Sequence, residues 1–230
     1  MGEQVSLDEG VRSSKVSVDA SEENDPASWR ASDGRVPGRR GRATRQRLLD
    51  HTAAMLRDRS YRDVTVIEIA RAAGTSPATF YQYFADVEAA VLVLADGLVA
   101  DAEELARTVA AAWTARPDGG YAAYGAALDV VDAFVAFWER HRPVLRVVEL
   151  AAAEGDDRFR QARVRALEGV AAELAAVIRP AAGVDARAAA GVLVTMLANA
   201  AVRGDDPDVR TALARHVYWG VTGETPPAEA

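Results

Sequence analysis

The sequence predicts an all-α protein in two parts, a three-helix N-terminal domain followed by a six-helix C-terminal one. Three observations carry that expectation. Apolar residues recur at three-to-four spacing from Thr44 almost to the C-terminus, the period of a helix with one buried face. Ser, Thr or Asp stands where most of these runs begin, as helix N-caps do. No stretch requires a strand to account for its pattern. With 230 residues, 50% of them hydrophobic, the chain is long enough to bury a substantial core.

Residues 1–37 are polar, without a sustained apolar period, and read as a disordered tail. Next comes "RRGRATRQR", five arginines in nine residues with no acid. From Thr44 the first helix sets a stripe of Leu48, Leu49, Thr52, Met55 and Leu56, and "SYRDVT" breaks it. Thr65 then opens "TVIEIARAAG" with Glu68 at the spacing of a capping box. Gly74 stands where that helix must stop, because glycine accepts the left-handed backbone of a C-cap. Ser76 and Pro77 follow almost at once, an N-cap and a first-turn proline for a third helix. Residues 38–85 thus form one domain containing two short helices joined by a tight turn.

The second domain spans residues 86–222. Asp86 caps a helix of about 28 residues that stops at "RPDGG". Helices are then expected from Tyr121 to Arg140, Pro143 to Ala153, Asp157 to Ile178, Asp185 to Arg203 and Asp206 to Val221. Residues 223–230 form a loose tail. The count is nine helices, with no internal repeat.

Composition narrows the function. There is no cysteine, which excludes disulfides and thiolate chemistry. No secretory signal and no apolar run of 18 residues is evident, so a soluble cytoplasmic protein with no membrane partner is expected. The net charge of −7 is uneven: −4 over residues 1–37, +5 over 38–84 and −8 over 85–230. A basic segment inside an acidic chain is the footprint of a localised anion-binding surface.

That segment ends in "GTSPATFYQYF", four aromatic rings in five positions of a chain that is only 7% aromatic. On a helix from Pro77 to Phe84, Phe80 and Phe84 point one way and anchor on Ile69 and Ala73. Ala78, Tyr81 and Gln82 point roughly opposite, with Thr79 on the flank. A small residue lets a helix approach base edges, and Gln can make paired hydrogen bonds to adenine in the major groove. Hydroxyls on Thr79, Tyr81 and Tyr83 can donate to phosphates on either side, and the positive helix N-terminus favours an anion. Small Ala70 at the helix crossing and Gly74 in the turn complete a helix-turn-helix pattern, with Thr75 where an aliphatic residue is usual.

"TVIEIARAAGTSPATFYQYFADVEAAV", residues 65–91, resembles the DNA-binding signature of the TetR family of transcriptional repressors, most specifically in "TFYQYF" followed by an "xxEA" sequence. The motif likeness covers about residues 44–95. The resemblance implies phosphate contacts from Thr65, Thr79, Tyr81 and Tyr83, and base-edge contacts near Pro77, Ala78 and Gln82, with Ser76 beside them. Arg39, Arg40 and Arg42 resemble the arms that some members lay along the duplex. Members commonly carry Lys where this chain has Val87, which implies a salt dependence shallower by about one unit.

The same resemblance implies an unidentified small-molecule effector bound among the central helices of the larger domain, which tilts the helix after the reading motif. It also implies a homodimer through the last two helices, matching a palindromic double-stranded DNA operator. Candidates for an aromatic and apolar effector pocket are Trp113, Tyr124, Phe134, Phe137, Trp138, Leu145, Leu167, Met196 and Trp219. Thr195 and Asn199, polar residues on the apolar helix "AAAGVLVTMLANAAV", join them because buried polar groups need partners. Arg142 and Arg146 offer charge for an acidic head group.

The sequence leaves rival readings open. "GTSPA" approaches a nucleophile elbow, but a helix precedes it where that elbow needs a strand. His51, His141 and His216 are scattered without metal-ligand spacing, and no cofactor motif is present. A helical module whose basic segment binds an acidic partner, or an activator of the same fold, would share much of the pattern.

Overall fold

The computed structural model describes residues 38–115, 120–179, 184–203 and 206–228. The expectations for residues 1–37, and for Glu229 and Ala230, lie outside them. Among the described residues the chain forms eight α-helices and no strand: α1 Arg39–Met55, α2 Val66–Ala72, α3 Pro77–Tyr81, α4 Val87–Thr114, α5 Gly120–Ala153, α6 Asp157–Val177, α7 Ala186–Ala200 and α8 Pro207–Thr222.

The small domain follows its local signals. Leu48, Leu49, Thr52 and Leu56 of the α1 stripe are buried, and the Thr52 hydroxyl is satisfied by donating to the Leu48 carbonyl at 2.8 Å. Thr65 and Glu68 close the capping box on α2, Gly74 takes φ +68°, and Ser76 accepts from the Thr79 N–H to start α3. Two boundaries differ from expectation. α1 begins at Arg39, five residues early, so the arginine run is helical. α3 stops at Tyr81, and Gln82–Phe84 tighten into a turn in which Tyr83 and Phe84 both donate to the Phe80 carbonyl, at 2.9 and 3.0 Å.

In the larger domain α5 runs unbroken through Pro143, replacing the two helices read from the sequence and leaving five helices instead of six. An interior proline removes one backbone bond and costs about 3 kcal/mol. The turns on both sides are held by burial, with Phe137 and Trp138 before it and Val144, Leu145, Val147 and Val148 after it. By length and composition α5 also matches a membrane-crossing helix, contrary to the sequence expectation. It is the core helix of the body: Ala126, Val130, Val131 and Phe134 have no exposed surface, and α5 packs on α4, α6 and α8. α4 lies between α5 and α6 and also meets α1. An ion pair from Arg62 to Glu154 joins the α1–α2 connection to the end of α5. Residues 223–228 are irregular but tethered, since Tyr218 donates to Glu224 at 3.1 Å and Tyr121 to the Ala228 carbonyl at 2.9 Å.

Candidate nucleic-acid interface and ligand cleft

The turn between α2 and α3 sets the reading surface. Phe80 is fully buried and Phe84 nearly so, with their rings 5.3 Å apart. The Arg45 guanidinium lies 5.3 Å from the Phe84 ring centroid, a cation–π contact that ties the turn after α3 to the first half of α1. Burial lowers the pKa of Arg45 from its ordinary value. With the phenyl groups inward, Ser76, Pro77, Ala78, Tyr81 and Gln82 are exposed, and Thr79 and Tyr83 are half-buried. Tyr81 is the largest projecting side chain, 54% exposed, and its ring meets Phe80 edge-on at 6.0 Å. The shorter α3 therefore keeps the division between anchoring and outward residues that the longer helix predicted.

Hydrogen bonding divides the outward residues. The Ser76 and Thr79 hydroxyls are 3.0 Å apart and share one proton between them, which leaves the other free to donate outward. Thr65 differs: its hydroxyl donates to Glu68 Oε2 at 2.7 Å, and its N–H goes to the same atom at 3.1 Å. A phosphate contact from Thr65 must compete with that carboxylate. Glu68 is itself held by Arg59 at 2.9 Å; Arg59 and then Thr65 hold its carboxyl well below the usual range, at about 2.

Arg39, Arg40 and Arg42 are exposed in the first turn of α1 rather than in an extended arm. That turn conflicts with helix electrostatics. Gly38 supplies no side-chain cap and no acid is present in the turn, while three cations sit at the positive end of the helix dipole. Val87, at the position where a Lys contact is usual in the resemblance, is buried in the core at the start of α4.

Between α4, α5 and α6 lies an apolar cleft lined by Leu98, Phe137, Trp138, Leu145, Val148 and Leu167, with Glu149 and Arg163 beside them. Its free space is about 10 Å³, hardly one water molecule. Burial pushes the Glu149 carboxyl up, and the Arg163 charge pulls it partly back. Four expected pocket residues are brought together here: Phe137, Trp138, Leu145 and Leu167. Trp113, Phe134, Tyr124 and Met196 pack elsewhere in the core, with the Tyr124 ring on Tyr218 at 6.1 Å. Trp113 Nε1 is buried without a hydrogen-bond partner among the described residues.

Thr195 and Asn199 are not pocket residues. Both are exposed on the outer face of α7 and bond back to their own helix, Thr195 to the Gly191 carbonyl and Asn199 to the Thr195 carbonyl, each at 2.8 Å. They share that stripe with Ala188 and Val192, and Trp219 is likewise exposed on α8. The expectation failed because α7 is apolar on both faces, and its outer face is open in a single chain. Glu149 and Arg163 escaped the sequence reading; the one signal for Glu149 is a lone acid inside "PVLRVVELAAA".

A helix-turn-helix with an exposed polar edge, carried on an all-helical body, defines a DNA-binding transcriptional regulator. A family profile described as "Bacterial regulatory proteins, tetR family" matches residues 48–90. One described as "Tetracyclin repressor-like, C-terminal domain" matches residues 109–228, more than half of the chain. The chain belongs to the TetR family of bacterial regulators. Among solved structures it is similar to the fatty acid degradation regulator FadR of Bacillus halodurans, with 17% identity, TM-score 0.52, and 82% of this chain and 98% of that one covered. It is also similar to Thermus thermophilus FadR in complex with lauroyl-CoA, at 19% identity, TM-score 0.51, and coverage of 81% and 99%. A Rhodococcus sp. RHA1 protein of unknown function matches at 20% identity, TM-score 0.56, with coverage of 77% and 95%. These likenesses establish the fold. Comparison with curated protein sequences returned no match.

Proposed function

We propose that the protein is a cytoplasmic, non-enzymatic repressor that binds a palindromic operator as a homodimer and leaves it when a small apolar or amphipathic molecule enters the α4–α6 cleft. The domain division at residues 85 and 86 separates the two tasks. The observation that carries the DNA side is the exposed edge of Ala78, Tyr81 and Gln82 standing on buried Phe80 and Phe84. Gln82 reads a base edge, while Tyr81, Tyr83 and Thr79 hold phosphates, and the first turn of α1 adds Arg39, Arg40 and Arg42.

Support for the dimer is the α7–α8 surface, where Val192 is 69% and Trp219 60% exposed beside Ala188, Gly191 and Thr195. Large apolar exposure among small residues suits a second copy of the same face. Support for the effector is the cleft itself, apolar with a charged pair at its edge. Drug-sized ligands need roughly 300–1,000 Å³, so a ligand here must part α4 from α5 and α6. α4 follows the reading motif directly, and that displacement moves α1–α3. The similarly folded T. thermophilus protein holds lauroyl-CoA, an amphipathic molecule.

Selection of bound fragments from random double-stranded DNA, followed by a salt titration on the winner, tests the reading. The expected result is a palindromic site whose affinity falls steeply with salt. On that site Gln82→Ala should change base preference by about 1–3 kcal/mol at one position of each half-site. Tyr81→Phe should weaken all sequences evenly, by about 0.5–1.5 kcal/mol. Indifference to both changes would favour a helical module that binds an acidic protein.

A further inference from the structure

Away from the reading surface and the cleft, four arginines gather at the joint between the two domains. Arg57, just beyond the end of α1, meets Arg140, Arg142 and Arg146 of α5 around an open groove of about 540 Å³, completed by Glu139 and Pro143. All four are exposed, and none has an ion-pair or hydrogen-bond partner for its side chain among the described residues. They gather in a chain whose acids outnumber its bases by seven. Several other arginines find carboxylates: Arg59 pairs with Glu68, Arg62 with Glu154, Arg158 with Asp156, Arg165 with Asp96 and Arg210 with Asp132. Four guanidiniums against one carboxylate leave the groove with an excess of three positive charges.

We infer that this groove binds a small anion with clustered phosphates, a di- or triphosphate group. The guanidinium is a planar fork that stays charged at any physiological pH and matches phosphate oxygens two at a time. A single carboxylate would neutralise only one of the cations, whereas a triphosphate balances the whole set. The DNA backbone presents the same chemistry, but the geometry argues against it. Arg45, in the first half of α1, touches Phe84 beneath the reading helix, and Arg57 lies beyond the other end of α1. Around Arg57 the chain meets α5 instead: Leu56 and Tyr61 line a pocket with Pro143, Val147 and Leu150. A bound polyphosphate would therefore tie the reading domain to the body at a point remote from the operator.

The test is calorimetric titration of the full chain with inorganic tripolyphosphate at low salt. One saturable site per chain is expected. The pair Arg142→Gln and Arg146→Gln should weaken it by about tenfold or more. The pair Arg187→Gln and Arg203→Gln, which removes the same charge elsewhere, should leave it within about twofold. Circular dichroism melting checks that both variants fold. Absence of saturable binding to the unmodified chain overturns the proposal, as does equal weakening by the control pair. A third arm uses the selected operator without tripolyphosphate: if the Arg142/Arg146 variant loses affinity and salt dependence there, these arginines lie on the DNA backbone and the proposal fails.

Discussion

The reading domain holds Tyr81 and Gln82 out to solvent on a base of Phe80 and Phe84, whereas the body buries Phe137 and Trp138 around a cleft with almost no free space. One region displays its chemistry and the other conceals it. On the proposed function the reading edge is in place before any partner arrives, which limits the ordering cost of binding. On the same proposal the cleft must open to accept a ligand, and the work of opening would couple occupancy to the placement of α4.

The largest expected effect tests whether the two regions are separable. Phe80→Ala removes a fully buried ring at the centre of α1–α3, a loss of about 3–5 kcal/mol, enough to unfold a domain of this size. Hydrogen exchange should show α1–α3 amides losing protection while those of α4–α6 keep theirs. Collapse of both together would mean that the α1–α4 contact makes them one cooperative unit. Next in size is Gly220→Ala on α8. A Cβ there would stand 2.9 Å from Leu193 Cδ2 of α7, with the rest of that leucine close behind. Leu193 must give way, at a cost of about 1–3 kcal/mol that the roughly 1 kcal/mol gained by Ala over Gly inside a helix partly offsets, and the α7–α8 contact is disturbed. If the α7–α8 face carries the proposed dimer, sedimentation should then show it dissociating at concentrations where the unmodified chain stays paired, with DNA weakened only through loss of the dimer.

The contrast between regions also explains what was legible in the sequence. Every determinant of the reading edge lies within about twenty residues: the Thr65–Glu68 box, Gly74, Ser76 with Pro77, and the aromatic spacing. Local rules suffice there, and the helix-turn-helix could be placed with its inward and outward residues. The start of α1 was missed because Arg39, Arg40 and Arg42 oppose the helix dipole and read as an arm laid along the duplex. Pro143 misled for a related reason, since proline ends helices unless long-range packing overrides it. The cleft depends on which turns of α4, α5 and α6 face one another. Phe137, Trp138, Leu145 and Leu167 were recoverable as bulky apolar residues, but nothing local distinguished them from Phe134 or Trp113. Thr195 and Asn199 were misplaced because apolar neighbours in sequence do not reveal whether a face is turned inward or left open.

The smallest expected effect sharpens the comparison through pH, because the two regions carry carboxylates shifted in opposite directions. In the reading domain, Arg59 and Thr65 hold Glu68 at about 2 against an ordinary 4.5. Between those values the unfolded chain binds more protons than the folded one, so stability rises with pH. Its contribution is complete above pH 4.5 and lost as pH falls toward 2. In the body, burial raises the pKa of Glu149, with Arg163 partly opposing. Here the folded state binds more protons, so stability falls as pH rises from the ordinary value through the raised one. Mild acid should thus favour the closed cleft while stronger acid loosens the reading domain. Two substitutions separate the effects. Glu68→Gln keeps an oxygen for the Thr65 N–H but loses the charge facing Arg59; its melting temperature should fall below that of the unmodified chain above pH 4.5 and converge with it near pH 2. Glu149→Gln should melt higher at neutral pH, with the difference shrinking as acid protonates the native carboxyl. Exposure of Glu68 to solvent keeps its effect small and salt-sensitive, so melting curves at low ionic strength resolve it best. A Glu149→Gln profile parallel to that of Glu68→Gln would show that the cleft carboxyl is not buried in solution, and that the body is more open than the structure shows.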